Sequence, residues 1–139
     1  MPVFRTSSEE ATIALGRELA RRLPARAVVL LIGNLGAGKT TLAKGIVEGL
    51  GAAAPEEVSS PTFTLIHEYG GGRVFHVDLY RIDEERDLRT LGLPDLMERE
   101  AVMLVEWGER FPHLWPPDRV EIHLRALEGE EREIVVGGG

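Results

Sequence analysis

Gly33-Asn34-Leu35-Gly36-Ala37-Gly38-Lys39-Thr40 follows the spacing G-x-x-x-x-G-K-[ST] in full. Chemistry explains each residue type. Glycines allow left-handed backbone angles, so that successive N–H groups can turn inward and form a concave anion site. A helix beginning at Lys39 adds the positive end of its dipole. Lys39 then places a charge beside the β- and γ-phosphates, and the Thr40 hydroxyl is suited to ligate Mg²⁺. The expected ligand is ATP with Mg²⁺, contacted by Gly36, Ala37, Gly38, Lys39, Thr40 and Thr41.

A phosphate loop that hydrolyses its nucleotide needs an acid at the end of a neighbouring buried strand. Two residues compete for that place. Glu106 ends Val102-Met103-Leu104-Val105, which is apolar at every position, whereas Asp78 ends Arg73-Val74-Phe75-His76-Val77, which alternates like a half-exposed strand. The expectation is that both acids face the metal and the attacking water, with Glu106 more central. Their ordinary alternatives are an exposed strand end for Glu106 and a turn residue capping a backbone N–H for Asp78. Thr62, in Ser60-Pro61-Thr62-Phe63, is the candidate sensor of the γ-phosphate, because it lies in a loop after the phosphate-loop helix. The ordinary alternative is a plain proline turn opening a strand at Phe63. Trp107 is placed beside the nucleotide, at a partner interface or in the core. His76 reads as a hydrogen-bonded strand side chain rather than a general base, since phosphoryl transfer depends on positioning and electrostatics.

The elements that must position these groups are readable from periodicity. Ser7-Ser8-Glu9-Glu10 is a helix-start signal, and Leu15, Leu19 and Leu23 share one face of a helix to about Leu23. Arg17, Arg21 and Arg22 then form its solvated face. Ala27 to Ile32 is a strand buried on both sides, and Lys39 to Leu50 is a helix. Phe63 to Tyr69 and Arg73 to Leu79 flank Gly70-Gly71-Gly72 as a hairpin, Asp83 to Leu91 reads as a charged helix, and Leu93 to Arg99 as a shorter helix or turn opened by Pro94. Ala101 to Val105 is a second buried strand. Arg119 to Ala126 and Arg132 to Val136 form a terminal hairpin, leaving Gly137-Gly138-Gly139 as a flexible tail. The implied architecture is a single α/β domain over 1–136: a three-layer fold of the P-loop NTPase type, with a mixed sheet that is parallel at its centre and antiparallel at its hairpins.

Composition narrows the function classes. The 139 residues are 43% hydrophobic, enough for one unstapled core, and contain no cysteine, which removes disulfides, thiolate metal sites and cysteine nucleophiles. The net charge of −7 disfavours direct gripping of RNA or DNA through phosphates. With no signal-like start and no bilayer-length apolar run, a cytoplasmic location without membrane contact is expected.

Taken together, Gly33 to Thr41, Ser60-Pro61-Thr62-Phe63, His76-Val77-Asp78-Leu79-Tyr80-Arg81 and Val105-Glu106-Trp107 resemble the TsaE family, formerly YjeE, across nearly the whole chain. The phosphate loop fits many NTPases; the His-x-Asp-Leu-Tyr-Arg and Glu-Trp segments are far more specific. The resemblance implies an ATPase that is weak alone and activated by partners. It would support installation of threonylcarbamoyl on the adenosine next to tRNA anticodons, together with the TsaD and TsaB proteins, and would meet tRNA only through that complex. By the same resemblance Lys39 and the loop amides bind phosphates, Thr40 and Glu106 hold Mg²⁺, and Thr62, Asp78 and Trp107 are functionally sensitive. Two other classes compete: a small-molecule P-loop kinase, for which the chain offers little room for an arginine-bearing lid, and a nucleotide-gated binding module without turnover.

Overall fold

The computed structural model describes residues 2–138. In chain order the elements are β1 (Val3–Thr6), α1 (Glu9–Ala20), β2 (Ala27–Ile32), α2 (Lys39–Gly49), β3 (Ile66–Tyr69), β4 (Val74–Asp78), α3 (Leu93–Glu98), β5 (Val102–Glu106), β6 (Val120–Ala126) and β7 (Arg132–Gly138), with short 3-10 turns between them. The strands form one sheet in the order β1-β7-β6-β2-β5-β4-β3. Pairing is parallel for β6-β2, β2-β5 and β5-β4, and antiparallel at the β3-β4 and β6-β7 hairpins and at β1-β7. The expected mixed sheet with a parallel centre is therefore present.

Alternation along the central strands divides the core in two. Val29 and Leu31 of β2 and Val102 and Leu104 of β5 face α1 and α2, packing with Leu42, Ile46 and Val47. Val28, Leu30, Met103 and Val105 face the other side and meet Ile82, Leu88, Leu93, Phe111 and Trp115. Because side chains have period two, continuous apolar runs are what a sheet covered on both faces requires. The second flanking layer is slighter than the first. It consists of α3 and 3-10 segments at Glu85–Leu91, Gly108–Arg110 and Pro112–Leu114, so the helix expected over 83–91 is corrected to a 3-10 run.

Helix α1 starts one residue later than its sequence signal: Ser8 is the N-cap, and its Oγ accepts from Ala11 N at 3.0 Å. It lies against α2 at very short range. A Cβ on Gly45 would sit 2.0 Å from Ile13 O, and one on Gly16 would sit 2.6 Å from Leu42 O. Only glycine at both places lets the two backbones touch, and this contact fixes the helix whose N-terminus carries Lys39 and Thr40.

Three expectations are corrected. β4 is not half exposed: every residue from Val74 to Asp78 is buried, because β4 adds to β5 in parallel as well as to β3. The first hairpin strand begins at Ile66 rather than Phe63, which is 82% exposed. Gly137 and Gly138, expected in a flexible tail, extend β7 opposite Glu121 and Val120; Gly139 lies outside the described residues. Among the described residues no helix is long and apolar enough to cross a membrane.

Candidate functional site

The glycine-rich loop joins β2 to α2 at the C-terminal ends of the parallel strands. Gly36 (φ +79°) and Gly38 (φ +100°) take the left-handed angles that call for glycine. Ala37 N donates to Asn34 O at 3.0 Å, and the first intrahelical bond runs from Leu42 N to Gly38 O at 2.9 Å. The amides at the start of α2 therefore have no intrahelical acceptor and are free for an anion.

Lys39 follows directly. It is only 5% exposed, its Nζ donates to Gly33 O at 2.7 Å, and it lies 3.7 Å from the centroid of the Trp107 ring. Burial lowers its pKa, against the opposing pull of Glu106, Glu109 and Asp78 and with a small further push from Arg110. A desolvated ammonium held in this way interacts strongly with any phosphate that reaches it.

Strand alternation delivers the acids. His76 and Asp78 of β4 and Glu106 of β5 face the same side of the sheet as Val74 and Leu104, and Asp78 is registered opposite Glu106. Glu106 is buried at the end of the central strand. Its Oε2 accepts from His76 Nε2 at 2.6 Å and from Thr40 Oγ1 at 3.3 Å. This links the helix, the central strand and its neighbour, and it gives His76 the hydrogen-bonded strand role expected of it. His76 Nδ1 is buried without a partner among the described residues.

Asp78 is engaged by three donors. Oδ2 accepts from Thr62 Oγ1 at 2.9 Å and Ser60 Oγ at 3.3 Å, and Oδ1 accepts from Tyr80 N at 2.8 Å. The turn-capping alternative is thus present, yet the same carboxylate also anchors the Ser60–Thr62 loop. That loop closes with Leu65 N on Pro61 O at 2.6 Å and Asp78 N on Leu65 O at 2.9 Å. Leu65 (φ +71°) and Trp107 (φ +65°) are the two non-glycine residues with positive φ among the described residues. Both flank this site, and backbone strain of this kind concentrates where function over-determines geometry.

Gly36, Gly38, Lys39, Thr40, Thr41, Thr62, Asp78, Glu106 and Trp107 all line one cavity of about 420 Å³. Ala37 does not; its side chain is buried under the loop. Residues that sequence reasoning passed over also shape the site. Ser60 bonds Asp78, Arg110 donates to Tyr80 O at 2.7 Å and lies over the Tyr80 and Trp107 rings at 5.4 and 5.3 Å, and Arg132 reaches Gly36 O at 3.3 Å. Ser60 stood inside a quoted motif. Arg110 and Arg132 carry no local signal, since only the tertiary fold brings them here.

The oxygen donors of Thr40, Glu106 and Asp78 suit a hard divalent cation. Among the described residues no group of three or more His, Cys, Asp or Glu forms a metal cage. Mg²⁺ does not need one, because it is bound through one or two carboxylates, water and substrate phosphates.

The family model described as "Threonylcarbamoyl adenosine biosynthesis protein TsaE" matches residues 6–134. Relatives named tRNA threonylcarbamoyladenosine biosynthesis protein TsaE include one from Bacillus subtilis, 39% identical over 94% of this chain and 82% of its own. The Treponema pallidum protein is 39% identical over 93% of this chain and 95% of its own, and that of Aquifex aeolicus 41% identical over 91% and 89%. The crystal structure of Bacillus subtilis YdiB superposes with a TM-score of 0.78 at 33% identity, covering 99% of this chain and 86% of that one. On the family match over residues 6–134 and on 39% identity to a relative over 94% of the chain, the chain belongs to the TsaE family.

Proposed function

We propose that the chain is a Mg²⁺-dependent ATPase required for N6-threonylcarbamoyladenosine modification of tRNA, acting in the cytoplasm with the TsaD and TsaB proteins. One observation carries the reading: Lys39 and Thr40 at a helix start converge with Glu106 and Asp78 at the ends of adjacent parallel strands. The names of its relatives supply the pathway.

In this reading the loop amides and Lys39 hold the phosphates, and Thr40 Oγ1, Glu106 and Asp78 hold the metal. Bound Mg²⁺ would neutralise charge on the phosphate oxygens. Water attacks the γ-phosphorus, the bond from the β–γ bridging oxygen to that phosphorus breaks, and ADP and phosphate leave. The proton lost by water passes to a carboxylate or to solvent. Thr62, bonded to Asp78, reports γ-phosphate to the Ser60–Leu65 loop. His76 keeps the Glu106 carboxylate fixed. Trp107 covers the Lys39 ammonium, and Asp78 is occupied by three protein donors, which favours slow turnover by the chain alone. A chain of net charge −7 would reach tRNA through its partners, with charge complementarity aiding encounter.

The test is steady-state ATP hydrolysis by the chain alone, then with TsaD and TsaB and substrate tRNA, with Lys39→Ala as the blank. Slow turnover that rises with the partners is expected. Turnover that ignores them, or that requires an added small-molecule acceptor, overturns the reading in favour of a kinase; none under any condition leaves a nucleotide-gated module.

A further inference from the structure

Most arginines of the C-terminal hairpin and its surroundings are paired with acids: Arg125 with Glu133 at 3.0 Å, Arg5 with Glu133 at 3.7 Å, and Arg119 with Glu121 at 2.9 Å. Arg132 differs. Among the described residues no carboxylate lies within ion-pair distance of it. Its guanidinium instead donates to three backbone carbonyls: Nη1 to Gly129 O at 3.0 Å and Glu131 O at 2.9 Å, and Nη2 to Gly36 O at 3.3 Å. The first two belong to its own hairpin turn; the third belongs to the glycine loop, 96 residues away.

The stem of Arg132 also lies along that loop, 3.6 to 3.9 Å from where a Cβ on Gly38 would stand. The peptide joining Gly36 to Ala37 is consequently held at both polar atoms, its carbonyl by Arg132 and its N–H by Asn34 O. Fixing this peptide fixes the entry to the next amides, which open α2 and face the anion site. Arg132 lines the same cavity, where Lys39 is the other cation against Glu9, Asp78, Glu106 and Glu130.

We propose that Arg132 is a positioning residue for phosphate binding: it locks the outer arm of the glycine loop to the β6-β7 hairpin and supplies the cavity with a second positive charge. The fork geometry matters, because the planar guanidinium reaches the turn carbonyls through Nη1 and the loop carbonyl through Nη2, whereas an ammonium has all its donors on one nitrogen. The inference rests on the nucleotide-binding reading above. It assigns Arg132 to the phosphates common to ATP and ADP rather than to the γ-phosphate, which lies with Thr62 and Asp78.

The experiment is calorimetric titration of Mg-ATP and Mg-ADP into wild type, Arg132→Ala, Arg132→Lys and Lys39→Ala, with melting temperatures and steady-state kinetics. Arg132→Ala should weaken both nucleotides by about tenfold, the loss of one charge-assisted bond. It should raise KM while kcat at saturation stays within about threefold, as loss of uniform binding does. Arg132→Lys should recover only part of the affinity. Should Arg132→Ala fold poorly, Arg132→Met, which keeps the stem but neither the charge nor a donor, gives the same readout. Wild-type affinity in Arg132→Ala alongside lost binding in Lys39→Ala overturns this inference alone. So does a loss confined to ATP, or full recovery by lysine. Wild-type binding by Lys39→Ala overturns the nucleotide site itself, and the role of Arg132 with it.

Discussion

The two ends of β2 open onto two different cavities. At the N-terminal end lies the larger, about 1030 Å³, lined largely by Leu19, Leu23, Pro94, Met97, Leu114 and Trp115. At the C-terminal end lies the smaller, about 420 Å³, where Lys39, Arg132, Glu9, Asp78, Glu106 and Glu130 converge. Volume alone would direct attention to the apolar end. What separates them is what the strands do as they finish: toward the C-terminal end the apolar alternation gives way to buried polar groups bound to one another, with positive-φ residues around them. Buried polar atoms are costly unless paired, so such a concentration is maintained by function more than by stability. The comparison teaches that the buried polar groups gather at the C-terminal ends of the central parallel strands.

Removing the central cation should have the largest effect. Lys39→Ala deletes the charge beside the phosphates, and calorimetry should show Mg-ATP affinity reduced at least about a hundredfold, as expected when a strong charge-assisted contact in a desolvated site is lost. The fold should survive, because a buried charge is removed and no large cavity is opened. Comparable binding by the variant would erase the distinction between the two ends.

The acids come next. Glu106→Gln and Asp78→Asn should lower kcat by about a hundredfold or more while changing nucleotide affinity much less, since their work is done when charge develops and water attacks. Glu106→Gln should also disturb His76, whose Nε2 bond at 2.6 Å falls on the altered carboxylate. A circular-dichroism melt separates that structural cost from the rate. Wild-type turnover in both variants would move the chemistry away from the strand ends.

Proton linkage offers a smaller, sharper test. Phosphate beside Lys39 favours its charged form, so its pKa rises on binding, starting from a free-protein value held below the usual 10.5 mainly by burial. Affinity is full while the free protein carries the charge and falls as pH rises through that lowered pKa. The decline should therefore begin earlier than for an exposed lysine and reach about tenfold per pH unit between the free and bound values. In the free protein the sign for stability is opposite. A base whose folded pKa is depressed penalises folding at low pH, and stability recovers as pH rises between the folded and unfolded values. Titrations of Mg-ATP affinity and of melting temperature from neutral pH upward, compared with Lys39→Met, check both signs.

The same comparison explains what could be read without the fold. The glycine loop is contiguous, so one stretch of sequence holds its glycines, lysine and threonine, and the apolar run of β2 gives its context. The pairing of Glu106 with Asp78 was half visible, because each acid ends a strand but only parallel addition of β4 to β5 makes them neighbours. From sequence β4 reads as half exposed because His76 looks like a solvent-facing polar residue until Glu106 is placed against it. Arg110 and Arg132 had no visible role, their contacts spanning about thirty and ninety-six residues. Gly137 and Gly138 read as a tail since glycine has low strand propensity, yet the register of β6 carries the pairing through them.

The smallest effect on the site should come from the other end. Leu19 is 5% exposed, lines the large cavity and packs in the core, whereas Glu9 and Thr12 on the same helix line the smaller cavity with Lys39. At 1.5 Å per residue, ten residues of helix separate Glu9 from Leu19 by about 15 Å, far enough for their contributions to add independently. Leu19→Ala should cost about 2–5 kcal/mol of stability, seen as a lower urea midpoint, because a buried leucine leaves a void that its neighbours fill only in part. Mg-ATP affinity of the folded fraction should stay within about twofold of wild type. The rigid Gly16–Gly45 contact between α1 and α2 is the one route by which the loss could travel, since it seats α2 and hence Lys39. A joint fall in stability and affinity would show that helix packing at the apolar end tunes the phosphate site, and the two ends of the sheet would have to be treated as one.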